Sequence, residues 1–124
     1  MCSIIGYSGK NSAAPILVKG LQKMEYRGYD SVGIATESEN KIILKKGVGK
    51  VVDVNNAIKL DSIPGNIGIG HTRWATHGKV TEKNAHTHSS NSGKIAIVHN
   101  GIVENFEELK SDLQNKGYVF QSET

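Results

Sequence analysis

Cys2 is the single cysteine of the chain, and it stands directly behind Met1. With Met1 removed, one residue carries both a thiol nucleophile and a free α-amine. An α-amine holds a sizeable neutral fraction near pH ~8, which lets it act as a base beside its own side chain. Activation of a nucleophile by the amino terminus is an established route to acyl transfer. The plain alternative is that position 2 tolerates a cysteine that does nothing.

Two further stretches have residue types that would complement such a thiol. Arg73-Trp74-Ala75-Thr76-His77-Gly78 places a guanidinium beside hydroxyl and backbone donors, the usual means of holding a small carboxylate. By itself, Arg73 reads as an ordinary surface arginine. Asn100-Gly101 pairs a side-chain amide with a glycine N–H just past an apolar strand, which suits an oxyanion hole. By itself, Asn-Gly is also among the commonest strand-ending turns. Thiol, clamp and donor pair together point to acyl transfer from a carboxylate-bearing amide.

Other chemistries fit less well. His86 and His88 are spaced to bite a metal, but no carboxylate or thiolate lies close by and zinc normally takes three or four ligands, so no metal is expected. Hydrogen-bonded loop histidines are the simpler reading of the five. Gly47-Val48-Gly49-Lys50 lacks the spacer and hydroxyl residue of a phosphate loop. A lone cysteine excludes an intrachain disulfide, which accords with a reducing compartment. The net charge of +3 comes from scattered lysines rather than a basic stripe, so no nucleic-acid partner is indicated. No apolar run approaches the ~20 residues that span a membrane, and the start lacks the pattern of a signal peptide. A cytoplasmic location is the expectation.

The elements that must position these groups follow from periodicity. At 124 residues, with 14 glycines and 37% apolar content, the chain reads as one loop-rich α+β domain. Ile4 and Ile5 open a first strand. Apolar residues from Ile16 to Met24 recur at helical steps over 13–25, with Asn11 or Ser12 as cap and Met24 as core filler. Residues 31–36 and 41–46 predict a hairpin across the polar turn at 37–40. A helix is expected over 51–60, then a strand in which Ile67 and Ile69 alternate with glycines that permit close backbone approach. Thr72 to Ser92 reads as one long loop, of a length that is usually functional or disordered. Lys94 to His99 is the clearest strand. Asn105 and Glu108 form a capping box for a helix ended by Gly117, and Tyr118 to Gln121 begins a last strand. The order βαββαββαβ predicts mixed or antiparallel sheets with helices on their faces.

Cys2-Ser3-Ile4-Ile5-Gly6, Glu25-Tyr26-Arg27-Gly28-Tyr29-Asp30-Ser31, the string from His71 to Gly78, Val98-His99-Asn100-Gly101-Ile102 and Ser122-Glu123-Thr124 together resemble class II glutamine amidotransferases in order and spacing. The resemblance runs over the whole chain. It implies an N-terminal-nucleophile hydrolase fold, a four-layer αββα sandwich, here truncated, and a reaction without cofactor. The Cys2 thiolate would attack the side-chain amide of L-glutamine and form a glutamyl thioester. Ammonia would leave and water would release glutamate. Asn100 and Gly101 would stabilise the oxyanion, and Arg73 would hold the substrate carboxylate with help from Thr76. Trp74 and His77 would line the pocket, with Arg27 and His86 in support. The second and third strings are similar to those of the branch that passes ammonia to a sugar-isomerase domain, where fructose 6-phosphate becomes glucosamine 6-phosphate. Such a parent enzyme is expected to be a homodimer, with residues 1–124 a partial glutaminase domain.

Three departures carry expectations of their own. Ser3 stands where the family has glycine, which predicts strain if that backbone needs glycine's freedom. Thr87 stands in place of a proline, which predicts a looser loop. The chain stops before an aspartate that would bind the glutamine α-amine, which predicts weak or no activity for these residues alone. A phosphoribosyl-pyrophosphate type of amidotransferase and an inactive glutamine-binding module are the rival readings.

Overall fold

The computed structural model describes residues 1–124. In chain order the elements are β1 (Ser3–Ser8), α1 (Ala13–Met24), β2 (Ser31–Ser38), β3 (Lys41–Val48), α2 (Val51–Ile58), β4 (Ile67–Arg73), β5 (His88–Ser89), β6 (Ala96–Ile97) and α3 (Phe106–Asn115). Short 3₁₀ turns follow α1 and α2 at Glu25–Arg27 and Leu60–Ser62.

Four strands form an antiparallel sheet in the order β1-β4-β2-β3. Neighbouring strands in sequence therefore supply only the β2–β3 pair. Its turn holds Glu39 and Asn40 at φ 53° and 62°, the paired left-handed geometry that matches strand twist in a two-residue hairpin. The functionally decisive pairing is β1 with β4, in register Ser3 to Thr72. It brings the chain's second residue to the end of β4, where Arg73 and Trp74 begin.

Helices α1 and α2 cover one face of this sheet. Ala13, Ala14, Leu17, Val18 and Leu21 are buried along α1 and meet Val32 and Ile34 of β2, Val51 and Val54 of α2, Leu60 and Ile63. Met24 packs against that cluster, while Val18 replaces Ile16 on the buried stripe. Each such aliphatic side chain contributes roughly 1.5–3 kcal/mol on burial. The glycines of β4 allow the close approach that their alternation predicts. A Cβ at Gly68 would lie 2.8 Å from Leu17 Cδ1, and one at Gly70 would lie 3.0 Å from Leu21 Cδ1.

Across the opposite face runs the row Ile4, His71, Gly33 and Lys46, one residue from each strand. Residues 83–87 lie over this row. Lys46 Nζ donates to the carbonyls of Ala85 (2.8 Å), Thr87 (3.2 Å) and Lys83 (3.3 Å). Gly33 is the gap that admits the segment, since a Cβ there would sit 1.9 Å from the His86 carbonyl oxygen.

Several expectations change. Lys94 to His99 contributes only the two residues of β6, paired with His88–Ser89 inside the region expected to be all loop. Ile95 and Ile97 are more than half exposed, so no packing extends that strand. Tyr118 to Gln121 forms no strand. The backbone of Val119 is instead satisfied by the Asn91 amide, whose Oδ1 accepts its N–H at 2.9 Å and whose Nδ2 donates to its carbonyl at 2.7 Å. Helix α2 ends at Ile58 because Lys59 turns left-handed at φ 55°, which aims Leu60 into the core. Asn105 is the N-terminal flanking residue of α3 but makes no side-chain cap. Gly117 does end that helix, at φ 94°. Its N–H bonds to Gln114 and that of Tyr118 to Leu113, the paired closure of a Schellman motif.

Ser3 shows no backbone strain, since it sits in β1 opposite Thr72 with no positive φ. Its cost is chemical instead. The hydroxyls of Ser3 and Thr72 are both buried without a hydrogen-bond partner, a penalty of order 1–3 kcal/mol for each such group. Thr87 is likewise fully buried, and its carbonyl is tied to Lys46, so the loop is anchored at that point.

Candidate active site

Cys2 lies just ahead of β1, half-buried, with its thiol against the backbone of Trp74. The Trp74 N–H donates to Sγ at 3.2 Å, and Sγ lies 3.5 Å from the Trp74 carbonyl oxygen. The β1–β4 register produces this contact directly: Ser3 faces Thr72, so the residue before one strand meets the residues after the other. Trp74 thus serves the thiol through its main chain. Its indole is about half exposed and meets the Tyr29 ring edge-on at 6.2 Å.

Asp30 fixes the stretch that carries this contact. Its carboxylate accepts the Ala75 N–H and the Ser31 hydroxyl, and its own N–H donates to the Arg73 carbonyl at 3.0 Å. Nothing in the sequence marks Asp30 as an anchor, because its partner is 45 residues away.

On the other side of Cys2 stands Asn100. Its Nδ2 donates to the Cys2 carbonyl at 3.2 Å, and its Oδ1 lies 2.7 Å from Nε2 of the buried His71. Gly101 follows at φ 140°, a conformation open to glycine, and a Cβ there would press on the His99 ring at 3.2 Å. His86 supports this turn from below. Its Nδ1 accepts the His99 N–H at 3.2 Å, and its ring stacks on His71 with centroids 4.3 Å apart. Burial holds the His71 imidazole below its usual range, partly offset by the Asn100 hydrogen bond. Burial, reinforced by His71, His88, Arg73 and Lys46, pushes His86 down to about 3; His88 falls to about 4 for similar reasons. These rings are neutral hydrogen-bonding groups.

Arg73 is buried and directed away from solvent. Its guanidinium donates to the carbonyls of Lys79 (3.0 Å), His77 and Gly78 (3.4 Å), clamping the turn that follows it. Glu123 joins the same turn. Its carboxylate accepts the Lys79 N–H and the Asn84 amide, which hold it below the usual carboxylate range. The terminal Ser122-Glu123-Thr124 therefore packs beside Gly78 and Arg73, as the 2.9 Å approach of Thr124 Cγ2 to a Cβ at Gly78 shows. Thr76 and His77 are exposed, and the His77 ring meets Phe106 edge-on at 5.1 Å. Arg27 is also exposed. Its carbonyl accepts the Met1 ammonium, and its guanidinium reaches the Met1 sulfur.

The structure thus gathers Cys2, Trp74 and Asn100 around one point, with His71 and His86 behind Asn100. Arg73, His77 and Gly78 form a second, adjoining cluster. His71 and Asp30 lie within the strings that carry the resemblance but received no role from the sequence, Lys46 was not singled out, and each acts through a partner at least 29 residues away.

A thiol at a strand end beside an asparagine amide, on an antiparallel sheet backed by helices, is the arrangement expected of an amidotransferase of the N-terminal-nucleophile type. A family model described as a glutamine amidotransferase domain matches residues 61–124, just over half the chain, and the chain belongs to that family. It is 56% identical over 124 residues to a Pyrococcus horikoshii protein named glutamine–fructose-6-phosphate aminotransferase (isomerizing), covering all of this chain and 21% of that protein. Proteins of the same name from Clostridium acetobutylicum and Methanococcus maripaludis are 54% and 55% identical, with 20% of each covered. The chain spans about one fifth of the length of these relatives. Among solved structures, the glutamine phosphoribosylpyrophosphate amidotransferase of B. subtilis superposes with a TM-score of 0.82 at 31% identity, over all of this chain and 27% of that one.

Proposed function

We propose that the chain is the glutaminase part of an enzyme that aminates fructose 6-phosphate to glucosamine 6-phosphate with L-glutamine as nitrogen donor. The observation that carries the reading is that Cys2 is met at two points, its thiol by the Trp74 N–H and its carbonyl by the Asn100 side-chain amide. Removal of Met1, which is 72% exposed and held through its ammonium on the Arg27 carbonyl, frees the Cys2 α-amine beside that thiol. The amine takes the thiol proton, and sulfur attacks the amide carbon of glutamine. The carbonyl oxygen, now negative, is met by the Asn100 amide and the Gly101 N–H. Collapse expels ammonia, protonated through the same amine, and leaves a glutamyl thioester. Water then cleaves the C–S bond to give glutamate and restore the thiol. No cofactor enters.

Arg73 supplies the substrate's carboxylate clamp in this reading, together with Thr76, while Trp74 and His77 line the pocket. Its guanidinium is engaged by the carbonyls of residues 77–79, so glutamine must displace part of that set. We expect slow turnover by these 124 residues alone, a homodimeric parent enzyme that meets fructose 6-phosphate in a separate sugar-isomerase domain, and a cytoplasmic location.

The 52–56% identity to aminotransferases named for fructose 6-phosphate favours this acceptor over phosphoribosyl pyrophosphate, whose named amidotransferase is 31% identical. A glutamine-analogue electrophile tests the reading. Mass spectrometry should find one adduct on Cys2 of the Met1-free chain and none on Cys2→Ala. Absence of the Cys2 adduct, with glutamine left unhydrolysed, overturns it.

A further inference from the structure

An asparagine amide is nearly symmetric in shape, and only one of its ends can stabilise an oxyanion. The surroundings of Asn100 decide which end faces Cys2. The Cys2 carbonyl is an acceptor only, and it lies 3.2 Å from the inner end of the amide, so that end must be the NH₂ group. The oxygen then faces His71 Nε2 at 2.7 Å, which requires a proton on that ring nitrogen. The Nδ1 of His71 is buried without a partner, as suits a bare lone pair and not a buried N–H.

From this we infer that His71 is a positioning residue for the oxyanion hole: as the neutral Nε2–H tautomer it donates to Asn100 Oδ1 and locks the amide with its NH₂ toward Cys2. One amide hydrogen is used by the Cys2 carbonyl, and the second remains for the oxyanion. The ring is held for this task on all sides. It sits 1% exposed in the middle of the four-stranded sheet, on β4, between Ile4 of β1 and Gly33 of β2. His86 stacks on it with planes 19° apart. Gly33 has no side chain to displace that stack, and the same His86 ring holds the His99 N–H. The oxyanion amide is therefore braced from the sheet by one ring, and the backbone of the preceding residue, His99, by the next.

The inference rests on the glutaminase reading, and two measurements separate the two. Long-range ¹⁵N–¹H correlation of the folded chain at neutral pH reads the tautomer without any activity. A protonated Nε2 with a bare Nδ1 is expected at His71; an Nδ1–H tautomer overturns the inference. In parallel, glutamine hydrolysis is followed in the Met1-free chain for His71→Met, His71→Gln, Asn100→Ala and the His71→Met/Asn100→Ala pair. His71→Met, which keeps bulk and loses the donor, should lower kcat about 10- to 100-fold with little change in KM. His71→Gln, whose amide reaches the same point with a donor, should recover most of that loss. The pair should be no slower than Asn100→Ala alone, because the brace has nothing left to orient. A loss of equal size in both backgrounds, or no loss in His71→Met, overturns the positioning role while leaving the glutaminase reading intact. Failure of the unaltered chain both to hydrolyse glutamine and to be labelled at Cys2 overturns both.

Discussion

The side-chain amide of Asn100 donates to the carbonyl of Cys2, 98 residues earlier in the chain, at 3.2 Å. That bond joins the start of the first strand to the turn after β6 and sets the separation between the proposed nucleophile and the proposed oxyanion donor. Truncating it should act on the transition state more than on substrate binding. Asn100→Ala should therefore lower kcat for glutamine hydrolysis by about 10²–10³-fold with KM nearly unchanged. Steady-state kinetics on the Met1-free protein measure both, and an unaltered kcat would remove Asn100 from the mechanism.

Gly33 and His86 touch where no other residue type fits. A Cβ at position 33 would lie 1.9 Å from the His86 carbonyl oxygen and 2.8 Å from Lys46 Cβ, so backbone must move. Gly33→Ala should destabilise the fold by about 1–3 kcal/mol, the usual cost of overfilling a packed site. Urea unfolding gives that number. The same variant should react more slowly with a glutamine-analogue electrophile, because the His86–His71 stack rides on the displaced segment.

Asp30 holds the Trp74 backbone against the thiol without touching it. Its carboxylate accepts from Ala75 N–H and Ser31 Oγ. Asp30→Ala leaves those donors unpaired and should cost about 1.5–3 kcal/mol in unfolding free energy, the range for bonds to a charged group. Asp30→Asn should restore part of it. Equal stability of Asp30→Ala and the unaltered protein would show that water replaces the carboxylate at no cost.

Acid should weaken the fold before its carboxylates titrate. His86 and His88 are held down to about 3 and about 4, chiefly by burial and then by neighbouring His71, Arg73 and Lys46. An unfolded histidine titrates near ~6.5. Above that pH neither state binds a proton at these rings, and stability is complete. Below it the unfolded chain takes up protons that the folded chain refuses, so stability declines from pH ~6.5 toward about 4 and then about 3. The urea midpoint should fall between about pH 7.5 and about 5.5, and His86→Gln should flatten the fall. A midpoint that rises on acidification contradicts the neutral assignment.

Local patterns carried much of the architecture. The α1 stripe, the β2–β3 hairpin and the glycine-spaced β4 are visible in sequence because each depends on residues within a few positions of one another. Short-range chemistry also marked Cys2 and Asn100-Gly101 as groups worth pairing, and their resemblance to a known family supplied the roles. Other features needed partners far along the chain. Asn91 satisfies the backbone of Val119 and so removes an expected strand. Lys46 caps three carbonyls of the 83–87 segment. Neither pattern has a period.

By itself, then, the sequence determined the helices, the hairpin and the alternation of β4, and it nominated the candidate reactive groups, since propensity, periodicity and side-chain chemistry are local properties. Tertiary structure alone decided that β1 lies against β4 with Ser3 opposite Thr72, which seats Cys2 on Trp74. It decided that Arg73 faces the carbonyls of residues 77–79, and that His71 stands behind Asn100. These are contacts between segments 29 or more residues apart or choices among several nearby acceptors, and only the packed sheet, with its register and the gap at Gly33, selects them.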